Sequence, residues 1–171
     1  PPSEDRFITP EVETIELIPS ELKPSIEIIL SLKVPAALDA TRETRGKKHL
    51  FMPIRTRVSL IPGVARIDVR TEIDNQAKDH RLRVHFPAPF AVQTAYHDGH
   101  YEVVQRPVGV LEKEEGWVEA PRPEVPQCAF TDISNGEVGL MVANRGLPEV
   151  EVLNGPEGTG SDIAMTLLRC V

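Results

Sequence analysis

The side chains best suited to chemistry lie in residues 75–86, which read NQAKDHRLRVHF. Their three cations, one aspartate and two histidines could form a metal site or an acid–base centre. In a β-strand, however, successive side chains point to opposite faces of the sheet. One face would then carry Asp79, Arg81, Arg83 and His85, and the other would carry His80, Leu82, Val84 and Phe86. Because the two histidines are separated, they cannot bind one metal ion.

The charged face of this segment predicts ion pairs. If residues 65–74 pair antiparallel with residues 81–86, Glu72 and Asp74 lie across from the two arginines. Each such cross-strand pair contributes about 0.2–1 kcal/mol. A second interpretation is that Asp79, Arg81 and Arg83 dock on another domain, where the arginines would bind carboxylates.

A second histidine cluster lies in YHDGHYE, residues 96–102. His97, Asp98 and His100 are close in sequence, but Asp98-Gly99 is also a strong hairpin-turn signal. A structural zinc site needs four ligands, and no fourth is evident. We therefore predict a hairpin and no metal site.

Glu149 and Glu151 share one face if GLPEVEVL is a strand. Retaining glycosidases use two carboxylates about 5–5.5 Å apart, so the pair invites comparison. Nothing else supports catalysis, since the chain has neither a glycine-rich phosphate loop nor a G-x-S-x-G motif. We favour an exposed acidic strand and predict no catalytic residue.

The elements that position these residues are strands. Residues 25–34, 54–60 and 65–74 alternate apolar and polar side chains, and Pro62-Gly63 predicts a turn between the last two. Helical periodicity is nearly absent, and residues 37–50 and 105–127 are predicted loops. Short strands separated by turn residues predict an all-β fold, a large antiparallel β-sandwich formed by residues 1–171 as a single domain.

Composition narrows the class of protein. The 171 residues carry a formal net charge of -7, which argues against nucleic acid as a partner. The longest apolar runs are far shorter than the roughly 20 residues that span a membrane, and the first residues do not read as an export signal, so we expect a cytoplasmic protein. Cys128 and Cys170 are too few for a zinc site and are predicted to be incidental thiols, with a single bridge left open.

Four segments in order resemble one family. Residues 66–87, 98–108, 130–153 and 162–171 are similar to the C-terminal β-domain of glycoside hydrolase family 38, the α-mannosidases, and most of all to its bacterial branch, which includes mannosylglycerate hydrolases. The resemblance implies a galactose-mutarotase-like supersandwich that packs on a catalytic barrel and helps to shape the carbohydrate site. Family sequences continue beyond the last segment, so we expect an incomplete sandwich from a larger multidomain chain.

The resemblance also implies where the chemistry lies. Family members are retaining enzymes that act on α-mannosides, with a zinc ion held by His and Asp and an Asp nucleophile in a separate N-terminal catalytic domain. We therefore expect no cofactor and no activity in this fragment alone. By the same resemblance, an arginine near ANRGLPE faces the sugar, and the candidates for substrate binding are Asn144, Arg145 and Gly146. The alternative for this loop is a solvated turn.

Two other functions stay open at this stage. Because fold does not fix function, the chain could be a stand-alone carbohydrate-binding or interaction sandwich, with Trp117 as its aromatic contact. An aldose mutarotase would need a His and Glu acid–base pair, and no pair here is persuasive.

Overall fold

The computed structural model describes residues 8–109, 113 and 115–170. These residues form twelve β-strands in three antiparallel sheets and one short 3-10 turn, Pro156–Gly158, without an α-helix. The predicted all-β sandwich class is confirmed. The chain divides into two compact units, Pro1–His80 with Cys170–Val171 (unit 1) and Arg81–Arg169 (unit 2).

Unit 1 holds one four-stranded sheet in the order β1-β2-β3-β4. Its strands are β1 (Glu11–Ile18), β2 (Ser25–Pro35), β3 (His49–Leu60) and β4 (Ile67–Ile73). The hairpin predicted between β3 and β4 is confirmed, and its turn places Gly63 at a φ of 78°, which favours glycine. The strands therefore follow one another across the sheet as a meander.

The two faces of this sheet differ in chemistry. Leu17, Ile26, Val58 and Val69 face one another in a row across the four strands, as the alternation predicts. The other face carries charge: Arg57 Nη2 lies 2.8 Å from Glu27, and Arg70 lies 3.0 Å from Glu72. The sheet thus has one apolar face and one hydrated face.

Unit 2 holds two four-stranded sheets, ordered β10-β9-β6-β7 and β5-β12-β11-β8. Its strands are β5 (Arg81–Ala88), β6 (Thr94–Asp98), β7 (Val103–Pro107), β8 (Val125–Pro126), β9 (Phe130–Ser134), β10 (Gly139–Ala143), β11 (Glu149–Asn154) and β12 (Ser161–Arg169). Apolar side chains of both sheets form one core cluster, in which Ile133, Val150 and Ile163 are fully buried. This unit is a closed sandwich in which each sheet contributes its apolar face.

The predicted pairing of residues 65–74 with residues 81–86 is wrong. β4 pairs with β3, whereas β5 pairs with β12, far along the chain. The intervening segment turns instead of closing a hairpin: Asn75 accepts a hydrogen bond from the Ala77 amide, and Asp79 adopts a φ of 57°. Glu72 consequently lies across from Arg55 and not from the arginines of β5.

The predicted hairpin at Asp98-Gly99 is confirmed, with a different turn. β6 and β7 pair from Asp98 with Val103, so residues 99–102 form a four-residue loop. The Gly99 amide donates to the Glu102 carbonyl and closes that loop at 2.8 Å. The predicted loops at 37–50 and 105–127 also contain short pieces of strand, because β3 begins at His49 and β8 lies at Val125–Pro126.

Candidate functional site

The loop that carries the substrate-binding candidates links β10 to β11, and so connects the two sheets of unit 2. Asn144 fixes its shape. The Asn144 side-chain amide donates to Gln127 Oε1 at 3.0 Å and to the Ala129 carbonyl at 3.3 Å, while its oxygen accepts from the Leu147 amide at 2.9 Å. Each polar group of this side chain is therefore used to hold the loop.

Gln127 also holds this loop in place through hydrogen bonds. Its side chain is buried, its amide nitrogen donates to the Leu147 carbonyl, and its backbone amide donates to the Pro148 carbonyl. Gln127 was not among the residues predicted from sequence. Its role follows from the short β8 strand, which pairs with β11 directly after the loop and lies in a stretch that the sequence predicted to be a loop.

Arg145 lies at the tip of this braced loop and is exposed. No ion pair of its guanidinium is found within the described part of the chain. Gly146, which follows, has a φ of 76°, and no atom lies within 4 Å of the position that a Cβ would occupy, so conformation and not space favours glycine there. The fixed turn therefore presents the exposed guanidinium of Arg145, which can donate hydrogen bonds to hydroxyl or carboxylate oxygens.

A cluster of charges begins where the loop ends, on the outer face of the β5-β12-β11-β8 sheet. Arg81 pairs with Glu124, and lies 3.5 Å from Glu149. Glu149 also pairs with Arg169 at 2.9 Å and accepts a hydrogen bond from Thr166 at 2.7 Å. Burial disfavours the charged form of Glu149, but Thr166 and the two arginines outweigh it and hold the pKa below its usual range.

Glu151, two residues further along β11, has its own partner. Arg83 Nη1 lies 2.7 Å from Glu151 Oε2, and the side chains are only 15% and 10% exposed. Because Glu149 and Glu151 are each held by arginines, they do not form a free acid–base pair. The predicted strand is present, but the prediction that its two acids are exposed is wrong, because Glu151 is buried and Glu149 is half-buried among their arginine partners.

The three docking candidates do not lie together on one strand. Arg81 and Arg83 share a face of β5 in unit 2, as predicted, but β5 begins at Arg81 and Asp79 belongs to a loop of unit 1. Asp79 accepts from the Leu38 amide at 3.1 Å and pairs with Arg42 at 3.0 Å. Backbone bonding from Leu38 outweighs burial, and together with Arg42 it lowers the pKa of Asp79.

The histidines occupy separate environments. His97 is buried, and its Nδ1 lies 3.0 Å from Thr131 Oγ1, whereas His100 is exposed. Burial, assisted by the charge of Arg106, lowers the pKa of His97 to about 4. Among the residues with described positions, no three His, Cys, Asp or Glu side chains are grouped so as to hold a metal ion.

Both cysteines are free thiols, and Cys128 is exposed. The single disulfide that the sequence allowed between Cys128 and Cys170 is therefore not formed. Within the described ranges, no helix is long and apolar enough to cross a membrane.

Comparison with known proteins gives a family match over nearly the whole chain. The model of the glycosyl hydrolases family 38 C-terminal domain matches residues 7–171. A mannosylglycerate hydrolase homologue from Halalkalibacterium halodurans is 32% identical over 173 aligned positions, which cover 89% of this chain and 17% of that protein. The sequence resemblance to this family is confirmed.

Two solved structures from Enterococcus faecalis share the fold. One is a protein in glycosyl hydrolase family 38, with 31% identity and a TM-score of 0.77. The other is an alpha-mannosidase of strain V583, with 33% identity and a TM-score of 0.78. Each match covers 97% of this chain and 19% of the solved chain, so this sequence spans about a fifth of the length of its relatives.

Proposed function

Because the chain belongs to the family of glycosyl hydrolase family 38 C-terminal domains, we propose that it is the C-terminal β-sandwich domain of an α-mannosidase-like retaining glycoside hydrolase. The observation that carries the proposal is the match over residues 7–171, together with 33% identity to an alpha-mannosidase. In this proposal the domain packs on a catalytic domain and helps to shape the site for an α-mannoside.

The chemistry of the proposed enzyme is assigned to the catalytic domain. Zinc held there would supply Lewis-acid stabilisation to a retaining hydrolysis that needs a carboxylate nucleophile. Glu149 and Glu151, the two carboxylates that share a face of β11, are engaged with arginines and so are poorly suited to that task. We accordingly expect no hydrolysis by this chain alone.

The contribution of this chain is proposed to come from the loop after β10. Asn144 and Gly146 set the turn, and Arg145 extends from it to donate hydrogen bonds to the sugar or its aglycone. Support comes from the contrast within the loop, since Asn144 is fully used inside the structure while Arg145 is exposed. Because hydrogen bonds already hold this turn in place, less conformational entropy is lost when substrate binds.

Asp79, Arg81 and Arg83 are proposed to contact the catalytic domain. The support comes from Arg81, whose side chain is still 28% exposed while it pairs with Glu124, so that its guanidinium can be reached from outside this chain. We also propose that the enzyme is cytoplasmic. The cytoplasm is a reducing compartment, in which a free, exposed thiol such as Cys128 persists.

The test uses the intact enzyme that carries this domain, with an aryl α-mannoside as substrate. Arg145→Ala is expected to lower kcat/KM roughly 10- to 100-fold, which corresponds to losing a charged hydrogen bond of about 1.5–3 kcal/mol. Arg122→Ala, a change at another exposed arginine of unit 2, is the matched control and should leave kcat/KM unchanged. Equal activity of both variants with wild type would remove Arg145 from the site, and absence of chelator-sensitive hydrolysis would remove the enzyme assignment.

One observation favours a second function, a stand-alone carbohydrate-binding module. Trp117 is 40% exposed in the segment before β8, and an exposed indole can stack on a sugar ring. Titration with mannosides, followed by Trp117 fluorescence, separates the two functions. Saturable quenching by this chain alone favours the binding module, and no response favours the hydrolase domain.

A further inference from the structure

The outer face of the β10-β9-β6-β7 sheet differs in charge from that of the other sheet in unit 2. On the β5-β12-β11-β8 sheet, arginines pair with acidic side chains, as Arg83 does with Glu151. The outward-facing residues of the β10-β9-β6-β7 sheet, whose four strands are all described, include no lysine or arginine. The two aspartates on this face, Asp98 and Asp132, therefore have no cation beside them on the sheet.

The structure uses only one of these two aspartates. Asp98 Oδ2 accepts a hydrogen bond from the Ala129 amide at 3.0 Å. Asp132 lies in the middle of β9, an inner strand, and burial raises the pKa of its carboxyl. Within the described part of the chain, this carboxyl has neither an ion pair nor a hydrogen bond. A partly buried charge without a partner opposes folding, and such a residue is expected where a ligand binds.

The neighbours of Asp132 are an aromatic ring, a thioether and an amide. Register places Tyr96 across from Asp132 on one side and Met141 on the other, with Gln105 next to Tyr96. Tyr96 is 37% exposed and Met141 is 58% exposed. Side chains paired in this way have Cβ atoms about 4.5–5.5 Å apart, so one ligand can contact several of them. We call these four residues the Asp132 row.

A pyranose ring matches the two kinds of surface that the Asp132 row offers. The C–H groups of the sugar pack on the ring of Tyr96, and its hydroxyls donate to the Asp132 carboxylate, a charge-assisted bond that is stronger than a neutral one. Gln105 Nε2 donates to Thr94 Oγ1 at 3.3 Å, so the Gln105 side-chain oxygen can accept from another hydroxyl. A quaternary ammonium ligand would use the carboxylate and the ring but has no donor for Gln105.

We propose that the Asp132 row is a further carbohydrate-binding site of the enzyme, in addition to the loop of Arg145. The row itself indicates a sugar, whereas the choice of an α-mannoside rests on the proposed function. Binding of a mannan chain at the row would raise the concentration of substrate near the enzyme, because the second contact with a tethered ligand is intramolecular.

The test measures how strongly α-mannan retards the intact enzyme in native gel electrophoresis, where the dependence on mannan concentration gives Kd. Tyr96→Ala removes the ring, and Asp132→Asn removes the charge while it keeps the shape of the side chain. Each variant is expected to raise Kd at least about tenfold. Phe51→Ala, at an exposed aromatic residue of unit 1, is the matched control and should leave Kd unchanged.

Thermal unfolding distinguishes a binding role of Asp132 from a structural one. Because its unpartnered charge opposes folding, Asp132→Asn should keep the melting temperature of wild type or raise it. A lower melting temperature would show that the carboxylate makes a stabilising contact, and would overturn the inference. Wild-type Kd in both Tyr96→Ala and Asp132→Asn would also overturn it. Binding of tetramethylammonium that depends on Asp132, without retardation by mannan, would overturn it in favour of a cation site.

Hydrolysis of an aryl α-mannoside by the wild-type enzyme separates this inference from the proposed function. An active enzyme whose retardation by mannan does not depend on Tyr96 or Asp132 would contradict only the inference. Retardation that depends on these residues, in a protein without chelator-sensitive hydrolysis, would contradict only the proposed function.

Discussion

The apolar sheet faces of the two units are buried to different degrees. In unit 2 the faces of two sheets meet, and Ile133, Val150 and Ile163 are completely inaccessible to solvent. In unit 1 a single sheet also has an apolar face, yet Leu17 and Ile67 remain mostly exposed. The difference shows that alternation specifies which face of a sheet is apolar, whereas burial requires a second layer.

The largest difference in stability between the two units should appear when one isoleucine is truncated in each. Ile133→Ala, in the sandwich core, is expected to lower the free energy of unfolding by about 2–5 kcal/mol, because it removes buried methylene groups and leaves a cavity. Ile67→Ala, on the exposed apolar face of the unit 1 sheet, should change the stability of the 171-residue chain little. Urea unfolding of both variants checks the comparison, and equal losses would show that Ile67 is covered in this chain.

The next effect is a pH dependence that comes from His97, a buried residue of unit 2. The folded-state pKa of His97 is about 4, below the ordinary value of 6.5, so His97 stabilises the fold fully above pH 6.5 and this contribution is lost as pH falls toward 4. The loss is on the order of 3 kcal/mol. Urea unfolding between pH 4 and 7 should show this slope in wild type and a flatter profile in His97→Gln. His49→Gln, at an exposed histidine of unit 1, serves as control.

A smaller effect distinguishes the ion pairs of the two units. Arg83→Ala leaves Glu151 buried without its partner, which should destabilise the chain by about 2 kcal/mol. Arg70→Ala breaks an exposed pair on the charged face of unit 1 and should have no measurable effect. Chemical denaturation of the two variants under one buffer condition is sufficient, and similar losses would contradict the difference in burial.

The smallest effect tests the loop that carries Arg145. Gly146→Ala places a Cβ on a residue with a φ of 76° and should cost about 1 kcal/mol. Gly139→Ala, in β10, is the matched change at a glycine without a positive φ, where the nearest contact of a Cβ is 3.3 Å. Thermal unfolding should rank Gly146→Ala as the less stable of the two, and the reverse order would mean that the loop relaxes freely.

Sequence reasoning succeeded where the determinant is local. Alternation in residues 25–34 and 54–60, the Pro62-Gly63 turn and the Asp98 hairpin depend on neighbours in the chain, and all were found in the structure. The position of the 144–146 turn is local in the same sense. Strand partners are not local, since β5 pairs with β12 about eighty residues later.

The charge partners show the same limit. Arg81 was predicted to face Glu72 or Asp74, but it binds Glu124, which comes from the proline-rich stretch before β8. No periodicity in that stretch marks Glu124 as a partner, and the left-handed backbone of Asp79 that redirects the chain is not encoded by a glycine. Such contacts follow from tertiary packing, which a single sequence does not specify.

We propose that this chain is one domain of a larger hydrolase, and the mass and sequence of the native polypeptide that contains it test this proposal most directly. Intact mass spectrometry with peptide sequencing should find a polypeptide about five times as long, since the chain spans 19% of the solved relatives, with His and Asp zinc ligands in a catalytic domain. A native polypeptide near 18.9 kDa would contradict the account and would favour a free-standing β-sandwich.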